Sequence, residues 1–129
     1  MSFLGGWIGV DLDGTLAKYD GWKGESHVGE PIPEMVERVK RWLAEGKTVK
    51  VFTARASREF LPDEVLIDSG SVTGDEWKRP IEDWCEEHIG RALPITCVKD
   101  FGMIELWDDR AVQVEMNTGR RADGKGEQE

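Results

Sequence analysis

The sequence has no apolar run approaching the ~20 residues of a membrane span, so no membrane-spanning helix is expected. Cysteine is scarce, with Cys85 and Cys97 the only two. Nothing in their spacing asks for a disulfide, although a bond between them stays open; free thiols in a reducing compartment are the expected state. There are only two histidines. His88 falls near the end of a predicted helix, where the dipole favours it, and His27 lacks metal-ligand spacing, so neither suggests zinc. Basic residues are the minority, 17 against 26 acidic, for a net charge of −9. A field of that sign repels polyanions and counts against stable nucleic-acid binding. Met1-Ser2-Phe3-Leu4 leads almost at once into an apolar run, with no basic n-region and no cleavage site. No signal peptide is expected, and the expected location is cytoplasmic.

What is present suits one globular domain. The chain has 129 residues, 39% of them hydrophobic and six of them Trp, enough for one core and too few for two. Trp7-Ile8-Gly9-Val10 reads as a buried strand. Residues 17–32 are polar and turn-rich, a loop or small flap. Pro33 suits the first turn of a helix that carries Met35, Val36, Val39, Trp42 and Leu43 on one face and stops before Gly46. Thr48 to Phe52 is a second strand, followed by helical fragments over residues 57–67 that Pro62 interrupts. A clearer helix runs from Pro80 to His88. Pro94 to Val98 and Ile104 to Trp107 are further strands, and Ala111 to Met116 is a candidate fifth. The expected fold is α/β with a mostly parallel sheet. Only residues 99–103 separate the third strand from the fourth, whereas a parallel crossover needs about a dozen or more residues. Residues 117–129 are Gly-rich and polar, a tail expected not to pack.

The chemistry concentrates where apolar runs end. Asp11-Leu12-Asp13-Gly14-Thr15 follows the first strand, Thr53 ends the second, Lys99 follows the third, and Asp108-Asp109 end the fourth. Strand tips are where α/β proteins keep their chemistry. A calcium-loop reading of Asp11-x-Asp13-Gly14 fails, because an EF-hand needs Gly at position six and Glu at twelve, where Leu16 and Trp22 stand. Taken alone, Asp108-Asp109-Arg110 fits a turn with a surface ion pair. Its place behind Ile104-Glu105-Leu106-Trp107 favours a site instead.

In chain order, this set resembles the haloacid dehalogenase (HAD) superfamily over residues 7–119 or so, in particular its small capless members from bacteria and their phages. The resemblance implies a Rossmann-like three-layer sandwich without a cap domain. The domain would run from residue 1 to 116, with the 17–32 flap where larger members insert a cap. It further implies Mg²⁺-dependent hydrolysis of a phosphomonoester through a phosphorylated Asp11. Asp13 would be the general acid and base, since family members carrying an acid there turn their intermediate over. The Mg²⁺ set is Asp11, Asp13 and Asp108, with the Asp13 side chain reserved for proton transfer. Several aspartates around Mg²⁺ would cancel part of the net charge locally. Thr53, Lys99 and the N–H groups of Leu12 and Ala54 would hold phosphate oxygens.

Asp109, Arg55, Arg110 and the flap residue Trp22 are further candidates for support or substrate contact. Each arginine also suits an ordinary ion pair, and Trp22 also suits packing. Lys99 departs from the usual pattern, in which the lysine lies further ahead of the acidic pair with a helix between; Lys78 competes for the role. A phosphorylated substrate is implied without its identity, and the oligomeric state is left open. Two other readings remain: a phospho-acceptor or phosphate-binding module with little turnover, and a phosphatase of nucleic-acid ends.

Overall fold

The computed structural model describes residues 6–62 and 75–125. Four strands, β1 (Trp7–Val10), β2 (Thr48–Phe52), β3 (Ile95–Thr96) and β4 (Met103–Trp107), form one sheet in the order β3-β2-β1-β4. Every neighbouring pair is parallel: Val10 lies beside Val51 and Trp107, and Val51 beside Ile95. Helix α1 (Pro33–Ala44) connects β1 to β2, and α2 (Lys78–His88) precedes β3. A 3₁₀ segment, Ala54–Phe60, follows β2 directly. The fold is therefore α/β. No helix among the described residues is long and apolar enough to cross a membrane.

The strand order determines which face the helices cover. From β1 to β3 the chain steps outward in one direction, and right-handed crossovers then put both helices on the same face. The buried residues agree. Ile8, Val10, Val49 and Val51 form one cluster with Val36 and Val39 of α1 and with Ile81, Trp84 and Cys85 of α2. Period-two alternation sends Trp7, Lys50 and Phe52 to the opposite face. There the Trp7 ring stacks on Phe52 at 6.5 Å, and Lys50 Nζ lies 4.5 Å from its centroid.

On that face no helix is present among the described residues, and a strap crosses it. The strap is the connector 97–102. Trp7 Nε1 donates to Asp100 Oδ1 at 2.8 Å, and a Cβ on Gly102 would lie 2.9 Å from the Trp7 ring. This resolves the short-connector difficulty, because β3 and β4 are both parallel strands on opposite edges of the sheet. The chain must cross three strand spacings and return about four residues along the strands, about 20 Å in all. Seven Cα steps reach about 23–25 Å. A nearly extended connector suffices because β3 is only two residues long.

Helix α1 matches the reading from the sequence. It starts at Pro33 and is closed by Gly46 at φ +86, whose N–H donates to Leu43 O. Helix α2 begins two residues earlier than expected, at Lys78. The flap has two zipped legs, with an Ala17–Pro31 bridge and Lys18 N–H donating to Glu30 O at 2.8 Å. Trp84 of α2 ties it down by donating Nε1–H to Gly29 O at 2.8 Å. The candidate fifth strand is not one. Residues 113–122 double back as a small exposed hairpin through a Val114–Arg121 bridge, turning at Asn117 and Gly119, both with positive φ. The expected tail thus begins as a local turn. The expected helical fragments over 57–67 lie partly outside the described residues; their start is the 3₁₀ segment.

Candidate active site

Strand order also explains why the acids meet. The chain runs outward from β1 to β3 and then returns to the other side of β1, which makes the β1/β4 junction the point where connections reverse. The carboxyl ends of strands at such a point form a crevice suited to ligands. Asp11 follows β1 and Asp108-Asp109 follow β4. The two ends are clipped together by Asp11 N–H donating to Trp107 O at 2.9 Å. Carboxylate oxygens of Asp11, Asp108 and Asp109 all lie within 4.8 Å of one another. Thr15 Oγ1 bridges them, 3.4 Å from both Asp11 Oδ2 and Asp109 Oδ1. Gly14 permits the approach. Its φ is +97, and a Cβ there would stand 2.7 Å from Asp109 Oδ2.

Three carboxylates in one half-buried corner repel one another. Burial pushes the Asp11 carboxyl up to about 7, reinforced by its hydrogen bond with Asp109 and by the negative charges of Asp108, Asp109 and Asp13. An all-oxygen donor set of this charge suits a hard divalent cation of the Mg²⁺ kind. The set that comes together contains Asp109, which the sequence placed only in a supporting role. Asp13, expected in the Mg²⁺ set, has its carboxylate elsewhere. Both its oxygens accept from Arg55, Oδ2 from Nε and Oδ1 from Nη2, each at 2.9 Å.

Arg55 is the hub of the site. Its side chain is 8% exposed, and it also donates to the carbonyls of Glu25 and His27 at 3.3 and 2.9 Å, tying the flap to the end of β2. Its guanidinium lies 4.9 Å from the Trp22 ring centroid. Thr53 is buried, in extended backbone, and its Oγ1 accepts from Arg55 N–H at 3.2 Å. That leaves the hydroxyl hydrogen for another acceptor. Ala54 opens the 3₁₀ segment, where first-turn N–H groups have no partner within the segment.

These groups line an open cavity of about 600 Å³ that includes Asp11, Asp13, Thr53, Ala54, Arg55, Asp108, Asp109, Arg110, Tyr19 and Trp22. Leu12 is fully buried beneath it. Lys99 is exposed on the strap and is not among the lining residues. Lys78 pairs with Glu59 at 3.7 Å and is no closer to the role. The cations at the cavity are instead Arg55, Arg58 and Arg110. Arg58, held by Glu25, is a residue the sequence reading missed. Its signal was the three-residue spacing from Arg55, which puts both on one side of a 3₁₀ turn. Tyr19, Ser57 and Cys97 also line the cavity without having been singled out. Both cysteines are free thiols. Burial raises the Cys85 thiol to about 11, making it a packing group rather than a nucleophile.

Comparison with protein-family models, with curated proteins and with solved structures finds no match for this chain.

Proposed function

We propose that the chain is a HAD-like, Rossmann-type phosphomonoester hydrolase of the cytoplasm, dependent on Mg²⁺ and acting through an aspartyl-phosphate at Asp11. One observation carries the reading: carboxylates from β1 and β4 converge where the sheet's connections reverse, beside a buried strand-end threonine and an arginine. A phosphate dianion repels a carboxylate nucleophile, and Mg²⁺ bound by Asp11, Asp108 and Asp109 would neutralise that repulsion.

The chain's own groups then divide the work. Asp11 Oδ attacks phosphorus while the ester P–O bond breaks. The leaving oxygen takes a proton from Asp13, and Asp13 later takes one from the water that cleaves the P–Oδ bond. Thr53, the Ala54 N–H and the neighbouring arginines steady the transferring oxygens. Asp13 is clamped by Arg55, so Arg55 must exchange that carboxylate for the incoming phosphate before Asp13 carries a proton. A guanidinium serves either anion through the same fork geometry.

The test is a screen of phosphorylated metabolites with and without Mg²⁺, repeated on Asp11→Asn. Metal-dependent phosphate release that disappears in Asp11→Asn supports the reading. Substantial activity in a well-folded Asp11→Asn protein removes the covalent mechanism. A long-lived phosphorylated chain by intact mass, without release, would favour the phospho-acceptor module. Faster release from phosphorylated oligonucleotides than from small esters would favour a nucleic-acid-end phosphatase, which the net charge of −9 opposes.

A further inference from the structure

Trp22 is an aromatic residue that the core does not use. It is 53% exposed, stands outside the core cluster, and lines the cavity with Tyr19, itself 46% exposed. Gly21 and Gly24 bracket it at φ +124 and +101, conformations that favour glycine. Exposing half an indole forfeits burial, yet this ring is not left loose. Its support is the Arg55 guanidinium at 4.9 Å. Arg55 donates to both Asp13 oxygens and also to the carbonyls of Glu25 and His27, and the two carbonyl bonds do not depend on Asp13 staying bound. The indole therefore stands one guanidinium away from the Asp13 carboxylate, as a pre-positioned flat surface beside the acids.

We infer that Trp22, seated on Arg55 and assisted by Tyr19, is a stacking platform for the base of a nucleoside monophosphate whose phosphate lies at Asp11. The inference rests on the phosphomonoesterase reading and names its substrate class. The cavity, at about 600 Å³, falls in the size range of clefts that take drug-sized ligands, so a phosphate group alone leaves much of it empty. Asp11 and Trp22 line the same cavity, so a phosphate at one and a base at the other share one space. The base is uncharged, so the acidic character of the chain does not oppose it, whereas it does oppose a polynucleotide. Stacking asks only for a flat face, and pre-organisation of the platform lowers the ordering cost of binding. Removing an aromatic platform weakens base binding by about 5- to 150-fold.

The experiment measures binding and turnover separately. The full-length Asp11→Asn protein in MgCl₂ is titrated by calorimetry with adenosine 5′-monophosphate, ribose 5-phosphate and inorganic phosphate. The same measurements follow on this background with Trp22→Ala, Trp22→Phe and Tyr19→Ala. The expected result is at least tenfold tighter binding of the nucleotide than of ribose 5-phosphate. That ratio falls toward one in Trp22→Ala and is largely kept in Trp22→Phe. Equal binding of the two phosphates, binding of neither, or a preference that survives Trp22→Ala overturns the platform. Steady-state rates on the Asp11 protein separate this from the underlying reading. Equal kcat/KM for nucleotide and ribose 5-phosphate leaves the phosphatase and removes the platform. No turnover of any ester removes the phosphatase, and the binding ratio still decides the platform.

Discussion

Replacing Asp11 by Asn should stabilise the metal-free fold while abolishing its chemistry. Burial and the surrounding carboxylates hold the Asp11 carboxyl at about 7 against an ordinary 3.8. A folded-state value raised above the unfolded one means the folded chain binds the extra proton between those two pH values. Stability from this group is therefore complete below about pH 4, declines as pH rises to about 7, and stays low above that. The whole shift corresponds to about 4 kcal/mol. The site is half open, so solvent screening reduces this to roughly 1–2 kcal/mol. Asn keeps the shape without acquiring the charge. In EDTA at pH 8, Asp11→Asn should melt a few degrees higher than the parent, roughly 3–8 °C for a domain of this size. At pH 4.5 the parent carries the proton and most of the gain should vanish. Saturating Mg²⁺ at pH 8 should raise the parent more than the variant. Thermal melts at two pH values, with and without metal, are sufficient. A gain of equal size at pH 4.5 and pH 8, or no gain at pH 8, would refute the argument that carboxylate crowding strains this corner.

Three further expectations are independent of that one. Asp13→Asn should slow transfer to Asp11 by about 10²–10⁴-fold for an alkyl phosphate and much less for p-nitrophenyl phosphate, with Mg²⁺ affinity nearly unchanged; equal slowing of both esters, or loss of metal, would contradict its proton role. Gly14→Ala should cost about 1–3 kcal/mol in denaturant melts through its positive φ and should weaken metal binding by displacing Asp109, so an unperturbed variant would be evidence against the close approach at β1 and β4. Activity should need Mg²⁺ and fall with excess Ca²⁺, which takes more ligands at longer distances and could draw both Asp11 oxygens; equal rates with the two ions would contradict it.

Local sequence determined a good deal here. The run Trp7–Val10 is buried at every position, and β2 keeps its expected limits because Thr48–Phe52 is rich in β-branched residues between Gly46 and the 3₁₀ turn. Helix α1 begins at Pro33 and ends before Gly46 because proline suits a first turn and glycine a left-handed stop. Asp11, Thr53 and Asp108 were legible because each ends an apolar run, which is a property of neighbouring residues. Tertiary structure decided the rest. Whether Asp13 or Asp109 joins Asp11 depends on which strand lies beside β1, and on Arg55, 42 residues away, claiming Asp13. Lys99 looked suitable as a strand-end lysine, but β3 stops at Thr96 and the chain leaves as a strap across the other face. The strap on that face has the same origin. A connector of six residues can cross three strand spacings but cannot form a helix on the way, and only the order β3-β2-β1-β4 makes that crossing necessary.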